Sequence, residues 1–351
     1  MVRPLPVVRR RTGQPVYPPQ RRPAQHPQPR RPHTRLEHTA DQGAPVTTIE
    51  WTEQTWNPTT GCDRISPGCD NCYALTMAKR LKGMGSAKYQ NDGDPRTSGP
   101  GFGLTGHPDV LGEPLRWKKP RRVFVNSMSD LFHARVTTDL ITRVWQTMQA
   151  TPQHTYQILT KRASRLAPVL AKVHAELGLT EPLPNVWLGT SVENQKYADL
   201  RIPALLTAPA AVRFLSMEPL LGPVDLCGPI VPGRGRPKLT YWLDGRPGWG
   251  PEQTDDRGRV FQGLAVGPRI DWVIVGGESG PGSRPMEPDW ARSLVEQCQH
   301  SKTAVFVKQL GTVWARDHHV GGKSVAAHGD TKGGKPEHWP TDLRVREYPA
   351  S

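Results

Sequence analysis

The chain has 351 residues, enough for two ordinary domains or one large barrel, with a formal charge of +14 and 36% hydrophobic residues. Five cysteines, an odd number in a chain this long, argue against a disulfide scaffold, and no apolar run nears the roughly 20 residues that cross a bilayer. A basic start with no hydrophobic stretch behind it argues against a secretory signal, so a cytoplasmic protein without a membrane partner is expected.

In chain order, residues 1–45 come first. They hold nine arginines and no lysine against Glu37 and Asp41, which puts half of the net charge on an eighth of the chain. The segment is crowded with Pro and Gln and has no periodic apolar face, so a disordered arm is expected. Such an arm suits nucleic acid or another polyphosphate.

From Val46 the pattern changes. Strand-like runs occur near Thr47–Trp51 and at Val123–Val125, Tyr156–Leu159, Val186–Leu188, Val212–Leu215, Trp272–Val275 and Ala304–Val307. They are short, β-rich and bounded by breakers, as buried parallel strands are. Helical periodicity fills the gaps: Thr138–Ala150 with Thr137 or Thr138 as N-cap, Ser164–Leu177, and a helix starting at Pro288 that carries Trp290, Leu294, Val295 and Cys298. Tyr197–Leu206 is weaker because Pro203 interrupts it. Six or seven strand–helix alternations predict an α/β fold, a (β/α) barrel over 46–315, whole or partial. Neither GxGxxG after the first strand nor GxxxxGK[ST] anywhere is present, which weakens the nucleotide-binding sheets. An insertion is expected at about 228–269 and a loop-rich tail over 316–351.

Three cysteines lie in one loop at 61–73. Six residues separate Cys62 from Cys69, and two separate Cys69 from Cys72. Asn57-Pro58, Pro67-Gly68 and Asp70-Asn71 fold the loop back so that three sulfurs can converge. Ala74, Leu75, Ala78 and Leu81 then form a helical stripe, placing Cys69 and Cys72 at a helix start that favours thiolates. Structural zinc wants four ligands, and the fourth would be Cys227, Cys298 or a distant His. Three thiolates on a [4Fe–4S] cluster would instead leave one iron open.

The loop resembles that of the radical S-adenosylmethionine (SAM) superfamily, and more closely that of a phage-associated three-Cys-motif family of unknown function. The likeness is carried by Ile49-Glu50-Trp51-Thr52, Thr55-Trp56-Asn57-Pro58, the Cys loop, residues 125–132, Leu159-Thr160-Lys161-Arg162, residues 188–194, residues 215–220, Gly276-Gly277-Glu278-Ser279-Gly280 and Val307-Lys308-Gln309. It implies a barrel, a [4Fe–4S] cluster on Cys62, Cys69 and Cys72, SAM at the open iron, and a phage-encoded protein partner. Departures are the six residues after Cys62, where three are usual, and Asn71 in place of an aromatic before the last cysteine. The family's Gly-Gly-Glu segment also follows an early strand, whereas Gly276-Gly277-Glu278 follows a late one.

In such a barrel, chemistry gathers just past the strands. There the sequence places Asp130, Lys161, Glu218 and Lys308, assigned to catalysis and substrate positioning. Ser127, Ser191, Glu193, Gly276, Gly277, Glu278 and Gln309 are assigned to the small-molecule cofactor. Arg162 and Arg284 complete a ring of mixed charge. The leading expectation is a radical-SAM-type iron–sulfur enzyme, and the alternative is a zinc-stapled, non-catalytic barrel that binds nucleic acid.

Overall fold

The computed structural model describes residues 49–349, apart from 229, 232–237, 240–241, 246–247, 255–259 and 266. The expected arm at 1–45 lies outside these residues.

Seven strands form one parallel sheet: β1 (Gln54–Trp56), β2 (Arg122–Val125), β3 (Thr155–Thr160), β4 (Val186–Ser191), β5 (Val212–Met217), β6 (Trp272–Gly276) and β7 (Ala304–Gln309). Each strand pairs with its successor in the chain, as barrel strands do. Among the described residues β1 and β7 do not pair, so the sheet is a curled half-barrel rather than a closed one. Among the described residues six α-helices connect or follow the strands: α1 (Tyr73–Gly83), α2 (Thr138–Gln149), α3 (Leu166–Leu177), α4 (Gln195–Leu206), α5 (Pro288–Ser301) and α6 (Thr312–Asp317).

The period of two along each strand sorts residues between two faces. Val123, Val125, Tyr156, Ile158, Leu188, Leu215, Met217, Val273, Val275, Val305 and Val307 join the buried faces of α2, α3, α4 and α5 in the main core. The opposite parity builds the inside of the curl. Phe124, Trp187, Phe214, Trp272, Ile274 and Phe306 form an aromatic floor with Trp51. Gly189 belongs to this layer, where a Cβ would strike the Phe214 ring.

Three sequence expectations change. Of the run near Thr47–Trp51, the described part from Ile49 is not a strand: Glu50 and Trp51 lie in a turn, Trp51 is buried against Phe124, and β1 starts at Gln54. A β-rich composition there reflects burial, not pairing. The helix with Pro203 is intact from Gln195. The ring removes a single backbone bond, and burial of Ala198, Arg201, Ile202 and Leu205 holds the segment. The tail is more than loop. Phe306 bridges Arg346 antiparallel, Val307 N–H donates to Val345 O, and Trp339 and Leu343 are buried in the main core, so the tail covers the edge of β7. The insertion between β5 and β6 carries two hairpins, Ile230–Val231 with Lys238–Leu239 and Gly248–Thr254 with Val260–Ala265. None of the helices among the described residues is long and apolar enough to cross a membrane.

Candidate functional site

The strands extend one to three residues past the predicted apolar runs, into Thr160, Ser191, Ser216 and Gln309. Parity carries the inward face from aromatic floor to polar rim: Phe124 then Asn126, Leu159 then Lys161, Trp187 then Ser191, Phe214 then Ser216 and Glu218, Phe306 then Lys308. Phe124, Leu159 and the polar rim residues wall a cavity of about 600 Å³ at the carboxyl ends of the strands, a size suited to a small molecule. Cys62, Cys69 and Cys72 form part of the same wall.

Two carboxylates assigned to the cofactor anchor the Cys loop. Glu193, fully buried, accepts from Ser66 Oγ at 2.5 Å and from Arg201 Nη1 at 2.9 Å. A Cβ on Gly68 would collide with that carboxylate, so glycine is what lets the loop sit against it. Glu278 accepts from Asn71 Nδ2 at 3.0 Å and from Arg284 Nη2 at 2.6 Å, while Arg284 also donates to Asp70 Oδ2 and Pro67 O. Arg284 and Asn71 hold the Glu278 carboxyl below the usual carboxylate range against the opposing effect of burial. Both ends of the Cys69–Cys72 turn are therefore tied to strand ends far away in sequence.

Asp130 is likewise saturated. It accepts from Phe132 N, Thr160 Oγ1, Lys161 N and Arg162 Nη1, at 2.7–3.2 Å. It is a positioning residue for Arg162, whose Nη1 also reaches Cys62 Sγ at 3.4 Å. Lys161 Nζ donates to Ser191 Oγ at 3.1 Å and makes no ion pair among the described residues. Glu218 Oε1 accepts from Lys308 Nζ at 2.7 Å and Gln309 Nε2 at 3.3 Å, leaving its other oxygen toward the cavity it lines. Ser127 Oγ bonds Asn57 and its carbonyl accepts from Tyr73 OH at 2.5 Å. Gly276 and Gly277 are not in the cavity wall. They allow close packing, of Gly276 on Glu218 Cγ (a Cβ would stand 3.3 Å away) and of Gly277 on the Leu310 backbone.

The sequence reading missed Asp63, His133, Ser66, Asn126 and Ser216. Asp63 accepts from Thr97, Ser98, His133 Nε2 at 2.9 Å and Arg135 Nη2 at 3.2 Å. The Arg135 N–H donates to His133 Nδ1, which assigns the proton to Nε2. Burial and Arg162 keep His133 below its ordinary value, as a neutral ring donating to a carboxylate requires. Only the period-two parity could have singled out Asn126 and Ser216. The other three act across gaps of at least 70 residues for Asp63–His133 and 127 for Ser66–Glu193.

As placed, no three His, Cys, Asp or Glu side chains among the described residues surround one metal position. Cys62 Sγ turns to Asp63 O and Arg162, and Cys69 Sγ to Ser66 Oγ. Burial pushes the Cys62 thiol up to about 12, with Asp130 adding to the rise and Arg162 opposing it. Burial also raises Cys72, opposed by Lys161, and Cys69 acts electrostatically on both. Cys62 and Cys72 therefore hold their protons, which a soft metal would displace. Cys298 is fully buried on α5 and Cys227 is exposed, and neither lines the cavity.

The family described as protein of unknown function (DUF5131) matches residues 46–339, spanning the Cys loop and all seven strands. The chain belongs to DUF5131. Neither a curated protein nor a solved structure matches it. In this DUF5131 chain, then, the cavity itself must indicate the chemistry. Its wall offers three thiols, three cations (Arg64, Lys161 and Lys332) without an ion pair among the described residues, and a carboxylate with one open oxygen.

Proposed function

We propose that the chain is a radical-SAM-type iron–sulfur enzyme, with a [4Fe–4S] cluster on Cys62, Cys69 and Cys72 and SAM at the iron they leave open. The observation that carries this reading is the donor set: three cysteines on one loop line the cavity, and no fourth cysteine does. A closed zinc site needs a fourth ligand. Of the two carboxylates next to the cysteines in sequence, Asp63 is already held by four side chains and Asp70 is paired with Arg284. When bound and reduced, the cluster supplies one-electron cleavage of SAM for hydrogen abstraction.

The chain's own residues do the rest. Lys161, with two ammonium protons unused, donates to the carboxylate of the SAM amino acid, and the open oxygen of Glu218 accepts from its ammonium. Lys308 and Gln309 fix Glu218 in the orientation this needs. Ser66 with Glu193, and Asn71 with Glu278, keep the Cys loop at the cavity wall. The aromatic floor of Trp51, Phe124 and Trp272 excludes water from beneath.

Anaerobic reconstitution with iron and sulfide, followed by metal and sulfide analysis, tests the metal assignment. About four irons and matching sulfide per chain are expected. Stoichiometric zinc without iron would overturn it in favour of the zinc-stapled barrel.

A further inference from the structure

At the mouth of the cavity an aromatic side chain is held from both ends. Tyr73 follows Cys72 directly as the first residue of α1, and its hydroxyl donates to Ser127 O at 2.5 Å beyond β2. Despite that tether it is 56% exposed. One turn further, Met77 is exposed and, like Ile65, lines the cavity, while Met84 is exposed just past the end of α1. Tyr73, Met77, Arg80 and Met84 recur at helical spacing, so they share one side of α1. Folding alone does not favour a large apolar stripe in water, and this one sits at the entrance to the candidate site.

The charge around the stripe is unbalanced toward cations. Each carboxylate in the cavity wall has a cationic partner: Glu50 and Glu218 with Lys308, Asp63 with Arg135, Asp130 with Arg162, Glu278 with Arg284. The cations are in excess. Arg64, Lys161 and Lys332 line the cavity without an ion pair among the described residues. Lys79 and Arg80 extend the excess along α1, which has no acidic residue. Two buried polar atoms in the same wall, Trp51 Nε1 and Asn126 Oδ1, have no protein partner.

We propose that this mouth binds single-stranded nucleic acid, with a base stacked on Tyr73 and phosphates on Arg64, Arg80 and Lys332. Aromatic surface interleaved with unpaired cations is what single strands require, since every base offers a ring face and every nucleotide an anion. A duplex keeps its bases stacked on one another and offers no ring to Tyr73. An acidic protein partner would use the cations but has no particular need of a fixed aromatic. That the strand is the enzyme's substrate rests on the proposed function, whereas the binding itself does not.

The test is fluorescence anisotropy of the full chain with a labelled oligothymidylate of about 12 nucleotides, within the usual span of a single-strand site. Tyr73→Ala weakens binding about tenfold or more while the salt slope stays unchanged, because a stack is lost and no phosphate contact. Tyr73→Phe, which keeps the ring, retains most of the affinity and guards against a folding artefact. Arg64→Ala with Arg80→Ala flattens the salt slope by about 0.7 per cation removed. The arm at 1–45 is present in every variant, so its contribution is common to all. Wild-type affinity in Tyr73→Ala, or inorganic polyphosphate competing as well as the oligonucleotide at equal charge, would overturn the platform. Binding as proposed by a chain that takes up no iron would overturn the function and leave the platform standing.

Discussion

Cys72→Ala abolishes the cluster, whereas Cys298→Ala and Cys227→Ala leave iron and sulfide content at the wild-type level. Two remaining thiolates on a loop cannot hold a cluster that needs three. Cys298 faces the helix layer, fully buried between α5 and the sheet, so its truncation costs on the order of 1 kcal/mol of packing and nothing at the site. Cys72 is the N-cap of α1 but makes no side-chain capping bond, so its loss should not unravel the helix. Far-UV circular dichroism and the visible absorbance of thiolate–iron bonds separate the two effects. Loss of metal in Cys298→Ala or Cys227→Ala would reveal a fourth ligand and a closed site.

The second large effect is on the fold beneath the loop. Arg201→Met lowers the unfolding free energy by about 3–5 kcal/mol, because it strands Glu193 as a buried charge. The pair is enclosed, with side-chain exposures of 4% for Arg201 and 0% for Glu193. Glu193 would keep only its bond to Ser66, and Arg201 would lose its contact over Tyr197 and its bond to Ser191 O. The double variant Arg201→Met with Glu193→Leu should cost less than Arg201→Met alone, since no charge is left unpaired. Urea unfolding of both proteins checks this ordering. A double variant as damaged as the single one would mean that the pair acts by shape and not by charge.

Much of the architecture was legible in local pattern. Six of the seven strands follow from β-rich runs between breakers, and Thr137 caps α2 through Leu140 N as its position predicts. The first strand was misplaced because Ile49 and Trp51 pack on the aromatic floor from coil and a turn, which composition alone cannot tell from a strand. Ring closure was not legible at all, since a sequence of β/α repeats reads the same whether or not β1 meets β7. At the site, looking just past each strand found Lys161, Ser191, Glu218 and Lys308, which all share the parity of the aromatic floor. It also gathered Glu193 and Glu278, whose carboxylates face loop partners over 120 residues away. No local signal encodes such pairs. Gly276 and Gly277 were drawn in by motif likeness, while their cause is steric.

The account turns on three thiolates leaving one coordination position open to SAM. Electron paramagnetic resonance of the reconstituted, reduced protein, recorded with and without SAM, tests this most directly. The account predicts that SAM changes the g values of the cluster signal, and that Lys161→Met weakens the SAM dependence while keeping the signal. An intact cluster whose spectrum is the same with saturating SAM would contradict it.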